Sequence, residues 1–319
     1  MMSMNLAILE LAKRQRLAPG AYAALVRLAR AADSPPVTAA ILRRGVQVLA
    51  MLLLGLGVIF FIAANWLTQS PLPMFAGLQT ALLGACVGAA RWPRLRVPLA
   101  LLGFLATGAL MAFFGQYYQS GADPWQMFAL WAGLLIPLAF ASRSDIIWSA
   151  WAIIAMTAIS LWLKGFSGSS GARSGILHVQ IVATLLAFGL CALLSRPLQR
   201  FTGAGDWALN LAILFTVILA STCGLWALFS RDPSFYPMVL IGLCGAVAYF
   251  AQARAFDIRV LSMCALGIDA LVIGGSIKMV SNSDSFLASM FIVGLTILIM
   301  LHVTVSAIVG MHRHHAPKE

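Results

Sequence analysis

Asp269 is an acidic side chain in the middle of a long apolar segment, at 258–278. An ionisable group inside such a segment is costly to bury, and it normally faces the protein interior with a partner. Ser262 and Ser276 lie one on either side of Asp269 at helical spacing, so a helix would place all three on one face. This polar face could couple a proton or cation, or contact a polar substrate. The alternative is an acid whose hydrogen bond fixes helix packing.

His302 is an ionisable side chain in the next apolar segment, at 286–311, and Ser306 follows it by one turn. If the two segments are neighbouring helices, His302 could meet Asp269 and form a proton relay. The alternative is a neutral histidine that a hydroxyl satisfies by hydrogen bonding. The sequence therefore predicts one polar site within the apolar segments, made of Asp269, His302, Ser262 and Ser276.

A second set of polar and aromatic side chains stands at the ends of apolar segments rather than inside them. Its members are Asn65, Trp66, Gln116, Tyr117, Tyr118, Asp123 and Trp125. Their amide, phenol and carboxylate groups could line a vestibule for a ligand. The alternative is that Asp123 and Pro124 begin the next helix as N-cap and first residue, while the aromatic rings anchor at a membrane interface.

Catalytic and metal-binding motifs are not found in the sequence. There is no Walker phosphate loop, no His-Glu-x-x-His and no Gly-x-Ser-x-Gly. The five cysteines lie in apolar segments and form no Cys-x-x-Cys pair, so they predict neither a disulfide nor a zinc site. The sequence predicts no catalytic residue, no metal and no cofactor, and it does not indicate an enzyme.

The composition determines which elements must position these side chains. Of the 319 residues, 61% are hydrophobic and only 10% are charged, whereas a soluble protein carries about a quarter charged residues. Lipid must therefore solvate much of the surface, and uninterrupted apolar runs of about 20 residues are typical of membrane-spanning helices. The predicted fold class is all-α, a polytopic transmembrane bundle. Ten spans are predicted at 45–66, 72–90, 97–115, 125–141, 145–163, 175–195, 207–229, 235–253, 258–278 and 286–311.

The distribution of basic residues predicts the orientation of these spans. Seventeen of the 21 lysines and arginines fall on one side of the ten-span arrangement. The positive-inside rule assigns that side to the cytoplasm, together with both termini. The formal net charge of +11 is accounted for by this asymmetry, so it does not indicate nucleic-acid binding.

The predicted spans divide the chain into three regions. Residues 1–44 are predicted to form a basic, amphipathic helical hairpin in the cytoplasm, residues 45–311 the ten-span bundle, and residues 312–319 a cytoplasmic tail. The hairpin could rest on the membrane surface or dock another protein. The tail histidines are interpreted as solvated rather than as metal ligands.

Two motifs resemble a known family. The first is Gly57–Trp66, and the second runs from Gly115 through Asp123 and Trp125 to Arg143. Both are similar to a bacterial family of predicted membrane proteins, domain of unknown function 2157, over roughly the first half of the chain. The resemblance implies a multi-pass protein of the bacterial inner membrane, and it implies no activity, substrate or catalytic residue.

Two functions from different classes are favoured by the sequence, and an intramembrane enzyme acting on lipid-linked substrates is a third alternative. The first is a carrier or binding protein for a small molecule or lipid, which the deep acid and the polar mouth favour. The second is a non-catalytic accessory, assembly or sensing subunit, which the scarcity of buried polar groups and the basic hairpin favour. The predicted partners are the lipid bilayer, a lipid or small-molecule ligand and a membrane protein, with no nucleic acid.

Overall fold

The computed structural model describes residues 13–15, 18, 20–22, 24, 36–65, 70–118, 121–169, 176–230, 232–252, 256–281 and 285–315. These residues form helices and no strand, which confirms the predicted all-α class. The helices from residue 36 onward are α1 (Pro36–Asn65), α2 (Pro71–Arg91), α3 (Arg96–Tyr117), α4 (Pro124–Ser142), α5 (Asp145–Ser169), α6 (Ile176–Leu194), α7 (Arg196–Thr202), α8 (Asp206–Phe229), α9 (Phe235–Phe250), α10 (Ile258–Val280) and α11 (Phe286–His315).

Nine helices in the described part of the chain are long and apolar enough to cross a membrane. The two others are α7, with 7 residues, and α9, with 16 residues. Each of the ten predicted spans coincides with a helix, and α9 stands where the eighth was predicted. At 1.5 Å per residue α9 is about 24 Å long, shorter than the roughly 30 Å of the hydrocarbon core. It lies against α8 and α10.

Contacts between loops establish which helix ends lie together. A guanidinium nitrogen of Arg143, after α4, donates to the Arg200 carbonyl in α7 at 3.0 Å. Arg196, at the start of α7, lies 3.5 Å from Asp257, just before α10. The connections α4–α5, α6–α8 and α9–α10 are therefore on one side, and α8 and α9 must carry the chain out and back. Despite its length, α9 returns the chain to this side.

We call this side the basic end, because many arginines lie at its helix ends and in its connecting segments. It is the end at which α1, α3, α5, α8 and α10 begin and at which α2, α4, α6, α9 and α11 finish. Its described arginines include Arg43, Arg44, Arg91, Arg94, Arg96, Arg143, Arg196, Arg200 and Arg259. Lys164 and Lys278 lie at the opposite end.

Tryptophan side chains join the helices in the centre of the bundle. Trp151, buried on α5, donates its indole N–H to the Ala132 carbonyl of α4 at 2.9 Å. Trp131 on α4 donates to the Phe104 carbonyl of α3 at 3.0 Å. Buried indoles need such an acceptor. Here each bond also spans two neighbouring helices, so the order α3–α4–α5 is fixed by hydrogen bonds as well as by apolar packing.

The first and last long helices form the rim of the bundle. No residue is buried in the most apolar stretch of α11, within Leu287–Met311, and α11 packs mainly on α10. α1 packs mainly on α3, and most of its side chains are exposed in the protein alone. A helix that is apolar all round but exposed must face lipid or another membrane protein.

The predicted start of the first span differs from the structure. α1 begins at Pro36 rather than near residue 45, so it takes in residues assigned to the N-terminal hairpin. Proline suits the first helical position because no intrahelical partner is needed for its missing N–H. Most of the predicted hairpin, and residues 316–319 of the tail, lie outside the described residues.

Candidate functional site

Asp269 is buried where α10 packs against α11, with 7% of its surface exposed. The Thr304 hydroxyl of α11 donates to its Oδ1 atom at 2.8 Å. Both residues lie within helices, so this hydrogen bond joins α10 directly to α11. A hydrogen bond between helices is the usual solution for a polar side chain at this depth.

His302 does not share this contact. It lies two residues before Thr304 on α11, which on an α-helix is a rotation of about 200°. Since Thr304 faces α10, His302 faces outward, and its side chain is exposed. The structure therefore brings Asp269 together with Thr304 and turns His302 away from it.

The two serines of the predicted polar face are also bonded locally. The Ser262 hydroxyl donates to the Ile258 carbonyl at 2.8 Å. The Ser276 hydroxyl donates to the Ile273 carbonyl at 2.7 Å. Both hydroxyls donate to backbone carbonyls of α10 and not to Asp269. The hydrogen bond to Asp269 comes from α11.

At the opposite end, Tyr117 and Tyr118 belong to an aromatic cluster. The two rings are 5.0 Å apart and perpendicular. Phe75 of α2 lies 6.3 Å from each of them and 4.7 Å from the ring of Phe113. The cluster joins α2 to the last turn of α3, and the phenols remain exposed, as expected at a membrane interface.

The other predicted vestibule residues are spread over separate contacts. Asn65 donates its side-chain amide to the Phe61 carbonyl of its own helix at 2.8 Å, and Trp66 lies outside the described residues. Asp123 is the N-cap residue of α4, as predicted, but its carboxylate makes no capping hydrogen bond. Trp125 packs 6.4 Å from Phe166 of α5, away from the aromatic cluster.

A cleft of about 310 Å³ opens between α1 and α3 in the half of the bundle nearer the opposite end. We call it the apolar cleft. Its wall is made of Ile59, Ile62 and Ala63 from α1, and of Ala109, Ala112, Phe113 and Gln116 from α3. The amide of Gln116 is its single polar side chain, so this vestibule residue lies where an apolar molecule could rest.

A larger cleft of about 1170 Å³ lies at the basic end between the same two helices. We call it the basic cleft. Its lining is Arg43, Arg44 and Gln47 from α1, Trp92, Pro93, Arg94 and Leu95 from the α2–α3 connection, and Val97 and Pro98 from α3. No acidic side chain belongs to this lining, so the electrostatic field in the cleft favours an anion.

Both clefts follow from the way α1 crosses α3. The helices touch at Gly55, where a Cβ atom would come within 2.3 Å of the Leu105 side chain. On either side of this point the two helices leave space between them. A small residue at the crossing thus permits close approach there, and the clefts lie toward the two ends.

A carboxylate outside both clefts accepts three backbone hydrogen bonds. Asp145, the first residue of α5, accepts hydrogen bonds from the amides of Gly205 and Ala208 at 2.9 Å and of Trp207 at 3.2 Å. It therefore caps α8 from a different helix. Nearby, the Trp148 indole donates to the Thr202 carbonyl at 2.6 Å.

Asp145 is not among the functional residues that the sequence predicts. The signal that could have identified it is Asp in the first turn of one apolar segment together with Gly203-Ala204-Gly205 before another. Gly203 has φ +69°, and a Cβ atom there would lie 2.7 Å from the Cα atom of Arg143. A Cβ on Gly205 would lie 2.6 Å from the Asp145 carboxylate. Both glycines permit the approach of the α4–α5 connection.

Hydrogen bonding holds the pKa of one loop carboxylate, Asp232, below its ordinary value. The hydroxyl and backbone amide of Ser234 both donate to Asp232 Oδ1, before α9. These hydrogen bonds favour the charged form and lower the pKa of Asp232. Asp232 is exposed, and the contact orders the turn into α9 rather than forming a site.

Metal-binding chemistry has no support within the described residues. No three His, Cys, Asp or Glu side chains there are grouped so that they could hold a metal ion. The five cysteines are free thiols distributed over separate helices. Among the described residues, the polar groups that could meet a ligand include one buried acid, the basic cleft and the amide at the end of the apolar cleft.

The fold and these sites define a polytopic α-helical membrane protein. Residues 9–148 match the model of a family described as predicted membrane protein, DUF2157. The match confirms the resemblance drawn from the two motifs and covers α1 to the beginning of α5. No curated protein and no solved structure matches the chain.

Proposed function

We propose that this protein binds lipid, holding an acyl chain in the apolar cleft between α1 and α3. The observation that carries the proposal is the cleft itself, about 310 Å³ of space with six apolar side chains and one amide in its wall. Small-molecule sites are typically of about 300–1,000 Å³, mostly apolar, with few polar groups. A lipid chain supplies matching apolar surface, and Gln116 is in place to donate to an ester or headgroup oxygen.

The proposal describes binding rather than proton-coupled transport. Coupling would need Asp269 to exchange protons with a ligand path, yet its Oδ1 is engaged by Thr304 and its side chain is buried. Asp269 also belongs to α10 and α11, whereas the apolar cleft belongs to α1 and α3. We therefore propose that Asp269 holds α10 and α11 together and that lipid binds between α1 and α3.

We also infer that the basic end faces the cytoplasm of a bacterial cell, so that the apolar cleft lies in the outer leaflet. The support is the positive-inside rule, because the arginines that gather at this end include Arg91, Arg94 and Arg96 after α2. Green fluorescent protein, which fluoresces only when it folds in the cytoplasm, is fused after residue 319. We expect this fusion to fluoresce, and a fusion of alkaline phosphatase at the same place to be inactive. The reverse pattern would invert the assignment.

Photolabelling with a phosphatidylcholine that carries a diazirine in its acyl chain tests the lipid site. In reconstituted wild-type protein we expect the label to concentrate on peptides containing 59–63 and 109–116. Ala112→Trp fills the apolar cleft, and we expect it to reduce that labelling severalfold while the protein stays folded.

Ala129→Trp is the matched control, because Ala129 is an exposed residue of α4 outside the cleft. It adds the same side chain to the lipid-facing surface and should leave labelling of α1 and α3 unchanged. Equal labelling of all lipid-facing helices, insensitive to Ala112→Trp, would show that the cleft holds no lipid selectively.

A further inference from the structure

The basic cleft gathers three guanidinium groups around one space. Arg43 and Arg44 come from α1, and Arg94 comes from the connection between α2 and α3. Gln47, one turn beyond Arg43 on α1, adds an amide to the same lining. Two separate segments of the chain thus converge on a space of about 1170 Å³ with positive charge on both sides.

These arginines differ from others at the basic end in how they are used. Arg196 lies near Asp206 and Asp257, and Arg143 donates to a backbone carbonyl. No carboxylate in the described part of the chain forms an ion pair with a cleft arginine. An anionic ligand could therefore pair with these arginines without displacing any carboxylate of the described residues.

The depth of the cleft matches the headgroup region of a bilayer. Arg43 and Arg44 fall within the candidate span Ile41–Asn65, and Arg94 within Pro93–Tyr117. The 30 residues of α1 extend about 45 Å, the thickness of a bilayer with its headgroups. A helix of this length centred in a bilayer would place Arg43 and Arg44 about 10 Å from its start, close to the lipid phosphates.

We propose that the basic cleft binds the phosphate of an anionic phospholipid headgroup. Arginine forms paired, charge-assisted hydrogen bonds with phosphate oxygens, and basic pockets between membrane helices suit anionic headgroups. Leu95, Val97 and Pro98 give the cleft an apolar wall against which the upper part of the lipid would pack. This site is independent of the apolar cleft, since the two share no residue.

Native mass spectrometry after lipid exchange tests the proposal with defined probes. Purified protein is incubated with phosphatidylglycerol, with phosphatidylcholine of the same chains, or with inorganic phosphate. We expect the wild type to retain phosphatidylglycerol at least tenfold more than phosphatidylcholine, and the double variant Arg43→Gln/Arg94→Gln to lose this preference. Each arginine near a membrane surface contributes about 1 kcal/mol of attraction to anionic lipid, or roughly fivefold in affinity.

The matched control is Arg200→Gln/Arg259→Gln, which removes the same charge from exposed positions of the basic end outside the cleft. It should keep the preference for phosphatidylglycerol. Arg94→Lys keeps the charge and loses the planar fork, so it should retain part of the preference. Both serve as folded references, since each disturbs no contact of the core.

Three outcomes would overturn the headgroup site. One is equal retention of both lipids by the wild type. Another is equal loss in the cleft variant and the control, which would mean that only the overall charge matters. The third is displacement of the lipid by millimolar inorganic phosphate, which would identify a site for a small anion. Photolabelling in the apolar cleft should be the same in Arg43→Gln/Arg94→Gln, so the two lipid sites are tested separately.

Discussion

Asp145 and Asp269 are two carboxylates that the fold uses to hold helices together. Asp145 accepts three backbone amides at the start of α8. Asp269 accepts one hydroxyl from α11. In both cases the partner comes from a different part of the chain. Asp269 is buried and Asp145 is half-buried, so these contacts replace water that would otherwise solvate the carboxylates.

Thr304→Val should loosen α11, because valine keeps the shape of threonine and removes the donor to Asp269. Hydrogen bonds between membrane helices contribute about 0.6–1.7 kcal/mol, and we expect a loss in that range. The measurement is thermal unfolding of the purified protein in detergent, with hydrogen exchange of α11 peptides as the local readout.

Thr296→Val is the control on the same helix, because the Thr296 hydroxyl bonds to the Ile292 carbonyl within α11. It should change stability little and leave exchange of α11 as it is. If the two valine variants behave alike, the contact with Asp269 does not hold α11 in place.

Asp145→Ala should destabilise the protein by about 2 kcal/mol, since it leaves the amides of half-buried Gly205 and buried Ala208 without an acceptor. The comparison is Asp206→Ala, which removes an exposed acid 3.9 Å from Arg196. Exposed pairs contribute at most about 1 kcal/mol. Midpoints of heat-induced aggregation in detergent would rank the two, and an Asp206→Ala loss equal to that of Asp145→Ala would refute the capping role.

The residue-level predictions from sequence succeed where a position alone decides the outcome. That Asp269 would be buried and need a partner follows from its place in an apolar segment. That the partner would be Thr304 rather than His302 depends on the rotation of α11. Because α11 is apolar on every side, its sequence pattern does not show which face of the helix contacts α10. A difference of two positions, as between His302 and Thr304, places side chains on nearly opposite faces.

Among the helices, the pair α1 and α3 determines where a ligand could bind. They meet at Gly55 and Leu105 and leave the apolar cleft toward one end and the basic cleft toward the other. α3 is largely buried in the bundle, whereas α1 is exposed on its other sides. A ligand in either cleft is therefore held between a fixed helix and a helix at the rim.

Gly55→Ala should force α1 away from α3, because its Cβ would lie 2.3 Å from Leu105 Cδ1 and 2.9 Å from Leu105 Cβ. Overpacking of this kind costs about 1–3 kcal/mol. Gly57→Ala, two residues on, meets no atom within 4 Å and should be neutral or stabilising by up to about 1 kcal/mol, the helix-propensity gain. Thermal unfolding of both variants checks this, and equal midpoints would argue against close packing at Gly55.

The helices themselves were predictable, because long apolar runs in a membrane protein have few alternatives. α7 was not, since Arg196–Thr202 is a polar connection whose short helix depends on contacts with Arg143, between α4 and α5, and with Trp148 of α5. The clefts were not predictable either. Arg43 and Arg94 are some fifty residues apart, and only the packing of α1 on α3 brings them to one space.

The whole molecule combines a well-packed centre with an exposed rim. α5 and α8 lie at the centre and contact each other, and their buried faces hold Trp148, Trp151 and Ala212. α1 and α11 form the rim on different neighbours. Since lipid is as apolar as the core, composition cannot tell centre from rim, and the sequence left this arrangement open.

The most direct test of lipid binding is an electron cryomicroscopy map of the protein in a lipid nanodisc, with an antibody fragment bound for alignment. We predict elongated density in the apolar cleft, in contact with Ala109 and Ala112 and extending to Gln116. This density should disappear in Ala112→Trp and persist in Ala129→Trp. A map in which α1 packs against α3 and fills the apolar cleft would contradict the account. So would a map in which ordered acyl chains are seen only beside other helices.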